Sequence, residues 1–277
     1  MAPLRFFVYS NLFIAVCAVL MVSQSYQLLL HANPDLNVIG FVFFSTICSY
    51  SFHWYLSSDS AAGSPRSLWQ QRNQIIHVIL FFVGAIGSAI FFFRLWHHWF
   101  WLLLSAIPTF LYTAPKIPHK YFRVLRKIAL GKTIFLAMVW MYVTTILPFG
   151  ISRASWNGDV YLFACSRFFL IYAICILFDY RDREEDKHKG IRSLITYLDE
   201  RGITMLFVGS LITFAASTIL LLLYSYAVVV VCLLLVPGVI TAMMYNVARK
   251  NSSDMLYYLS LDGLMALSSV LTLLLWI

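Results

Sequence analysis

Nine apolar runs, each about as long as a membrane is thick, leave this chain almost no way to fold in water. They cover about 5–29, 38–56, 76–94, 96–114, 128–149, 157–178, 203–223, 225–246 and 255–276, and a helix of roughly 20 such residues crosses a hydrocarbon core. Inside lipid the backbone N–H and C=O groups need partners within the protein, so runs of this length are expected as helices. The 61% hydrophobic and 12% charged residues exclude an ordinary soluble domain. The longest polar gaps, about 57–75, 115–127 and 179–202, are too short to fold alone, and no internal repeat is visible. Residues 1–277 are therefore expected to form a single all-α domain of nine transmembrane helices. The first run is longer than a signal-peptide core and lacks a small-residue cleavage site, so it is read as a retained span.

Lysine and arginine set the expected orientation. Sixteen of the twenty fall with the N-terminus in the gaps after spans 2, 4, 6 and 8, and only Arg94 and Arg153 fall opposite. The positive-inside rule then puts the N-terminus and those gaps in the cytoplasm, with the protein integral to the inner membrane. The net charge of +8 needs no nucleic acid, because a membrane surface and a phosphate ligand account for it.

Acidic residues are concentrated just as sharply. Seven of twelve lie between Asp179 and Glu200, directly after the sixth apolar run. If the helix continues, Asp179, Asp182 and Asp186 share one face at i, i+3 and i+7. Carboxylates that close repel unless cations neutralise them, and hard oxygen ligands of this kind suit Mg²⁺, which in turn points to a phosphate ligand. The competing reading is a solvated loop in which Arg181, Arg183, Lys187 and Lys189 pair the acids.

The gap after span 4 packs Lys116, Lys120, Arg123, Arg126 and Lys127 behind a Pro-braced turn, with Tyr112 and Tyr121 nearby. Such a loop suits a diphosphate through charge-assisted hydrogen bonds; anchoring to anionic lipid explains it as well. The five cysteines sit singly in spans without a CxxC pair, and no histidines have metal-ligand spacing.

The segment Phe178-Asp-Tyr-Arg-Asp-Arg-Glu-Glu-Asp-Lys-His-Lys-Gly-Ile-Arg-Ser-Leu194 resembles the second aspartate-rich motif of the UbiA superfamily of intramembrane prenyltransferases. Tyr112-Thr-Ala-Pro-Lys116 followed by Ile128-Ala-Leu-Gly131 is similar to a Tyr-Ser-Ala-Pro and Ala-Leu-Gly stretch of the same superfamily, and the nine-span layout matches throughout. The resemblance implies a helical bundle around a lipid-open cavity. It further implies two aspartate-rich motifs holding Mg²⁺ against a prenyl diphosphate at the cytoplasmic mouth, and transfer of the isoprenyl group to a lipophilic acceptor. Carried over, Asp182 and Asp186 are catalytic metal ligands and Asp179 a supporting one. Lys116, Lys120, Arg123 and Tyr112 bind diphosphate, with Arg66 and Arg72 as further candidates.

The first motif departs from the pattern. Where the family has Asn-x-x-x-Asp-x-x-x-Asp, this chain aligns Ser51, Tyr55 and Asp59, keeping Asp59 as the one carboxylate that the resemblance leaves there as a metal ligand. Neither a hydroxyl nor a phenol is a normal Mg²⁺ ligand near neutral pH. Two readings follow: a Mg²⁺-dependent prenyltransferase leaning on its second motif, or a degenerate, non-catalytic relative that binds an isoprenoid, another lipid or a partner protein.

Polar groups inside spans are costly and need partners. Arg167 lies about 18 Å along a helix from Asp179 at 1.5 Å per residue, so a partner deeper in the bundle is expected, with Asp262 one geometric option. Asp262 itself reads either as a structural pair or as part of the cavity wall. Asn11, Gln24 and Lys132 read as interhelical hydrogen-bonding residues.

Overall fold

A computed structural model of the protein describes residues 2–56, 64–113, 132–188 and 193–275. Among them the chain is helical with no strand, and eight helices are long and apolar enough to cross a membrane. The fourth apolar run is helical over Trp99–Thr113, and its continuation lies outside the described residues.

A short α1 (Ala2–Tyr9) is set off from α2 (Leu12–Ser25) by Asn11, which adopts the left-handed conformation at φ 68°. Asparagine tolerates that region better than most residues, and the kink turns its side chain into the protein, where it is fully buried. A π-turn over Tyr26–Leu30 extends α2 to His31. Pro34 and Asp35 then start α3 (Leu36–Tyr55), with the Asp35 carboxylate accepting from the Asn37 N–H at 2.8 Å.

α3 lies along α5 (Gln74–Arg94), and glycine makes the approach close. A Cβ on Gly84 would stand 2.6 Å from the Cys48 backbone nitrogen, and one on Gly87 would stand 2.4 Å from the Phe44 ring. Small residues let membrane helices touch backbone to backbone, where van der Waals packing holds them. Between α3 and α5, the short α4 (Pro65–Arg72) begins with the Ser64 hydroxyl accepting from the Ser67 N–H and Pro at its first position. α6 (Trp99–Thr113) follows.

α7 (Lys132–Met141) continues through a π-turn at Tyr142–Ile146 into α8 (Leu147–Ser152). The central element is α9 (Gly158–His188), whose 31 residues make about 46 Å of helix at 1.5 Å per residue. That exceeds a hydrocarbon core of about 30 Å. The helix therefore outlasts its apolar part and carries Asp179–His188 as a continuous helical extension. The expectation that this segment is helical is met. Beyond α10 (Leu194–Tyr197) come α11 (Glu200–Ile219), α12 (Val228–Lys250), a π-turn at Leu256–Leu261 and α13 (Asp262–Leu273). The core gathers on α9, where Ile171, Ala173, Ile174, Ile176 and Leu177 are almost fully buried.

Arg167 finds its partner elsewhere than Asp262. Its Nη1 donates to the Met21 carbonyl at 3.0 Å, Ser25 Oγ at 2.8 Å, the Thr144 carbonyl at 2.7 Å and Thr145 Oγ1 at 3.0 Å. Its Nη2 donates to Gln24 Oε1 at 2.6 Å. The π-turn at 142–146 accounts for part of this, since a π-turn disturbs the regular helical ladder and Thr144 and Thr145 lie within it. Gln24 passes the network to α13 by donating to Thr272 Oγ1 at 3.0 Å.

Candidate active site at the aspartate-rich end

A cavity of about 750 Å³ runs from the aspartate-rich end into the apolar body of the bundle. Its inner wall is phenylalanine and leucine, including Phe13, Phe41, Phe92 and Leu102, with Tyr50 and Trp140 joined by a 3.1 Å hydrogen bond. α5 packs on α3 while α6 packs on α7 and α8, and α5 and α6 do not pack along each other. Ser88, Ala89 and Phe92 of α5 and Ser105, Ala106 and Thr109 of α6 line the space between them. The outer faces of both helices expose large apolar side chains such as Phe82, Ile86, Phe100 and Ile107.

The polar end is built by four elements. α9 contributes Asp179, Arg181 and Asp182, α4 contributes Arg66, α3 contributes His53 and Trp54, and Tyr258 and Asp262 close the wall from the last span. Asp179 is 6% exposed and accepts a hydrogen bond from the Thr133 hydroxyl. Asp182, one turn on and 39% exposed, takes Arg181 Nε at 2.8 Å and Nη2 at 3.4 Å. Arg181 Nη2 also donates to the Tyr258 hydroxyl at 3.0 Å.

Arg66 is 4% exposed. Its guanidinium sits over the Trp54 ring at 4.2 Å and the Tyr258 ring at 3.6 Å, a cation–π arrangement that gains when water is excluded. Nη2 donates to Asn11 Oδ1 at 3.0 Å, and the Arg66 backbone N–H donates to Asp254 at 2.7 Å. The left-handed Asn11 thus acts as an acceptor for this arginine. Burial pulls the Arg66 guanidinium below its ordinary pKa, while Tyr258, Asp262 and Asp254 oppose that shift. At neutral pH it stays a cation.

Among the described residues, no three His, Cys, Asp or Glu side chains stand together as a metal cage. Mg²⁺ does not require one. It is commonly held by one or two carboxylates, with substrate phosphates and water completing its octahedron. Asp179 and Asp182, on successive turns and both on the cavity wall, fit one such ion. On the facing α3 wall, the described residues present Tyr50, His53 and Trp54, and no carboxylate.

The remaining expected site residues divide as follows. Asp186 is buried and off the cavity wall. Ser51 is fully buried and off the wall, and Tyr55 is half exposed and off it. Arg72 is exposed and also off it. Asp59, Lys116, Lys120 and Arg123 lie outside the described residues, as does the side chain of Tyr112. Asp262 lines the cavity. Trp54, Thr133 and Tyr258 carry no sequence signal beyond an abundance of aromatic and hydroxyl residues. Arg181 does carry one, a cation set inside an acidic run and beside Asp182.

The model of the UbiA prenyltransferase family matches residues 64–270. In structure the chain is similar to a UbiA homolog from Aeropyrum pernix K1, in its apo form, with a TM-score of 0.62 and 16% identity. The match covers 96% of this chain and 97% of the other, and at that identity the likeness speaks for the fold. No curated protein sequence is significantly similar to this one.

Proposed function

The chain belongs to the UbiA prenyltransferase family, and from that premise we propose that it transfers an isoprenyl group from a prenyl diphosphate to a lipophilic acceptor. The reaction would take place at the cytoplasmic face of the membrane. One observation carries the reading: a single cavity of about 750 Å³ joins an apolar interior to a mouth bearing three aspartates, Asp179, Asp182 and Asp262, and two arginines. That is the amphiphilic shape of a prenyl diphosphate, and its size falls within the usual range for ligand pockets.

The phenylalanine-lined body would hold the prenyl chain and keep water from the reacting carbon. Asp179 and Asp182 would hold a Mg²⁺ ion, which when bound neutralises the charge growing on the departing diphosphate. Thr133 fixes the Asp179 carboxylate by a hydrogen bond. Arg66 supplies a fixed cation beside them, joined in this proposal by Lys116, Lys120, Arg123 and Tyr112. Arg72, Ser51 and Tyr55, all off the wall, are left out of the set. Rings at the mouth, Trp54 and Phe178 among them, offer π-faces to an allylic cation.

The second reading is a non-catalytic relative that holds an isoprenoid, another lipid or a partner protein. What favours it is Asp182, already engaged by Arg181, facing an α3 wall without a carboxylate among the described residues. Diphosphate release from geranylgeranyl diphosphate, with Mg²⁺ and a panel of lipophilic acceptors, separates the two. Transfer predicts turnover that falls by about 100-fold or more in Asp182→Asn, the usual scale for losing one electrostatic stabiliser. Binding without release, at every prenyl length, would assign the non-catalytic role.

A further inference from the structure

Arg66 from α4 and Arg181 from α9 converge on one ring. Their guanidinium carbons lie 3.6 Å and 5.1 Å from the centre of Tyr258, and each feels the other's charge. The Arg66 residue is 4% exposed and the Arg181 side chain 13%. Two like charges withdrawn this far from water repel strongly and call for anions. Three carboxylates stand near, but they do not saturate the donors of the two guanidiniums. Asp182 takes Nε and Nη2 of Arg181, Asp254 takes only the Arg66 backbone N–H, and Asp262 interacts with both cations through space, without a hydrogen bond to either. Two buried donors, Arg66 Nε and Arg181 Nη1, are left with no acceptor among the described residues. Buried N–H groups of charged side chains are rarely left so, and both side chains line the cavity.

We propose that Arg66 and Arg181 form a metal-free clamp for the diphosphate head of the substrate, replacing with fixed guanidinium cations the metal that a carboxylate-bearing α3 would hold. This rests on the prenyl-diphosphate reading above and adds to it. Guanidinium forks match phosphate oxygens in pairs, and the clamp is preset: Trp54, Tyr257 and Tyr258 hold the two planes, with Arg181 4.5 Å from the Tyr257 ring. Head-group binding then becomes separable from the ion held by Asp179 and Asp182. The clamp captures the substrate, and Mg²⁺ is needed for ionisation.

The test is calorimetric titration of the full-length protein with geranylgeranyl thiodiphosphate, which resists ionisation, in EDTA and in Mg²⁺. Wild type is expected to bind in EDTA within about tenfold of its affinity in Mg²⁺. In EDTA, Arg66→Gln and Arg181→Gln should each bind about 20-fold more weakly, the scale of a lost charged hydrogen bond. Geranylgeraniol, which lacks the head group, should bind all three alike, and inorganic pyrophosphate should compete where phospholipid nanodiscs do not. Loss of wild-type binding in EDTA overturns the clamp and needs no variant to show it. So does unchanged binding in both glutamine variants, or competition by phospholipid alone. Absence of binding in both buffers would defeat the prenyl-diphosphate reading, and the clamp with it.

Discussion

Arg167 and the Arg66–Arg181 pair are all buried arginines in a membrane protein, yet they are treated differently. The Arg167 guanidinium meets five neutral acceptors drawn from α2, the 142–146 π-turn and their side chains, and it does not line the cavity. Arg66 and Arg181 meet aromatic faces, few acceptors and an open volume. The difference separates two uses of one residue type. Where several helices offer neutral acceptors to the guanidinium, the arginine cross-links them; where donors are left over beside a cavity, the acceptor proposed here is a ligand.

The largest effect expected from this comparison is on stability. Arg167→Met fills a similar volume but removes the donor that joins Gln24, Ser25, Thr144 and Thr145, leaving the Gln24 and Thr144 oxygens with only their serine donors, Ser269 and Ser25. Charged hydrogen bonds of this kind and the desolvation left behind support a loss of about 3 kcal/mol. Thermal unfolding in detergent should show a clear drop in Tm, while the protein that remains folded should bind prenyl diphosphate normally. An unchanged Tm would break the distinction between cross-linking and ligand-binding arginines.

That distinction was only half legible in the sequence. Apolar runs read as spans because backbone pairing in lipid permits little else, and the helical face carrying Asp179 and Asp182 could be counted from spacing. A partner for Arg167 deep in the bundle was also foreseeable, since an arginine inside a span cannot stay unsatisfied. Its identity was not: the acceptors are hydroxyls and carbonyls from segments far apart in the chain, two of them in a π-turn that no local pattern announces. The mouth is less legible. Ser51 and Tyr55 keep the spacing of the family motif, but Ser51 is buried off the wall, and Tyr50, His53 and Trp54 face the cavity instead. A motif frame fixes position along a helix, whereas the face that meets a cavity depends on how α3 rolls against α5, which Gly84 and Gly87 set through contact with Phe44 and Cys48.

A smaller effect sharpens the ligand-binding half. Tyr258 stacks under both arginines and accepts from Arg181 through its hydroxyl. Tyr258→Phe keeps the ring and removes that acceptor, freeing a second N–H of Arg181 while leaving Arg66 stacked. One hydrogen bond of positioning at about 1 kcal/mol corresponds to about fivefold in affinity. Titration in EDTA should show that fivefold weakening, with Tm within a degree of wild type. A Tm fall comparable to that of Arg167→Met would make Tyr258 a structural strut.

The smallest effect is expected a few residues beyond Arg181 on α9. Lys187 reaches back one turn to Glu184 at 2.8 Å, but both side chains are well exposed, so water and salt screen the pair and fixing two long side chains offsets what attraction remains. Lys187→Ala should therefore leave Tm, diphosphate affinity and their salt dependence unchanged. Glu200 is the instructive contrast: it accepts from Arg183 of α9 and from Arg249 of α12 at once, tying three helices where Lys187 ties one helix to itself. The acidic segment thus mixes ordinary surface pairs with groups that face the cavity. A loss of affinity in Lys187→Ala would mean that the basic face of the α9 extension takes part in holding the head group, and the division between saturated and ligand-seeking cations would have to be redrawn around the whole extension.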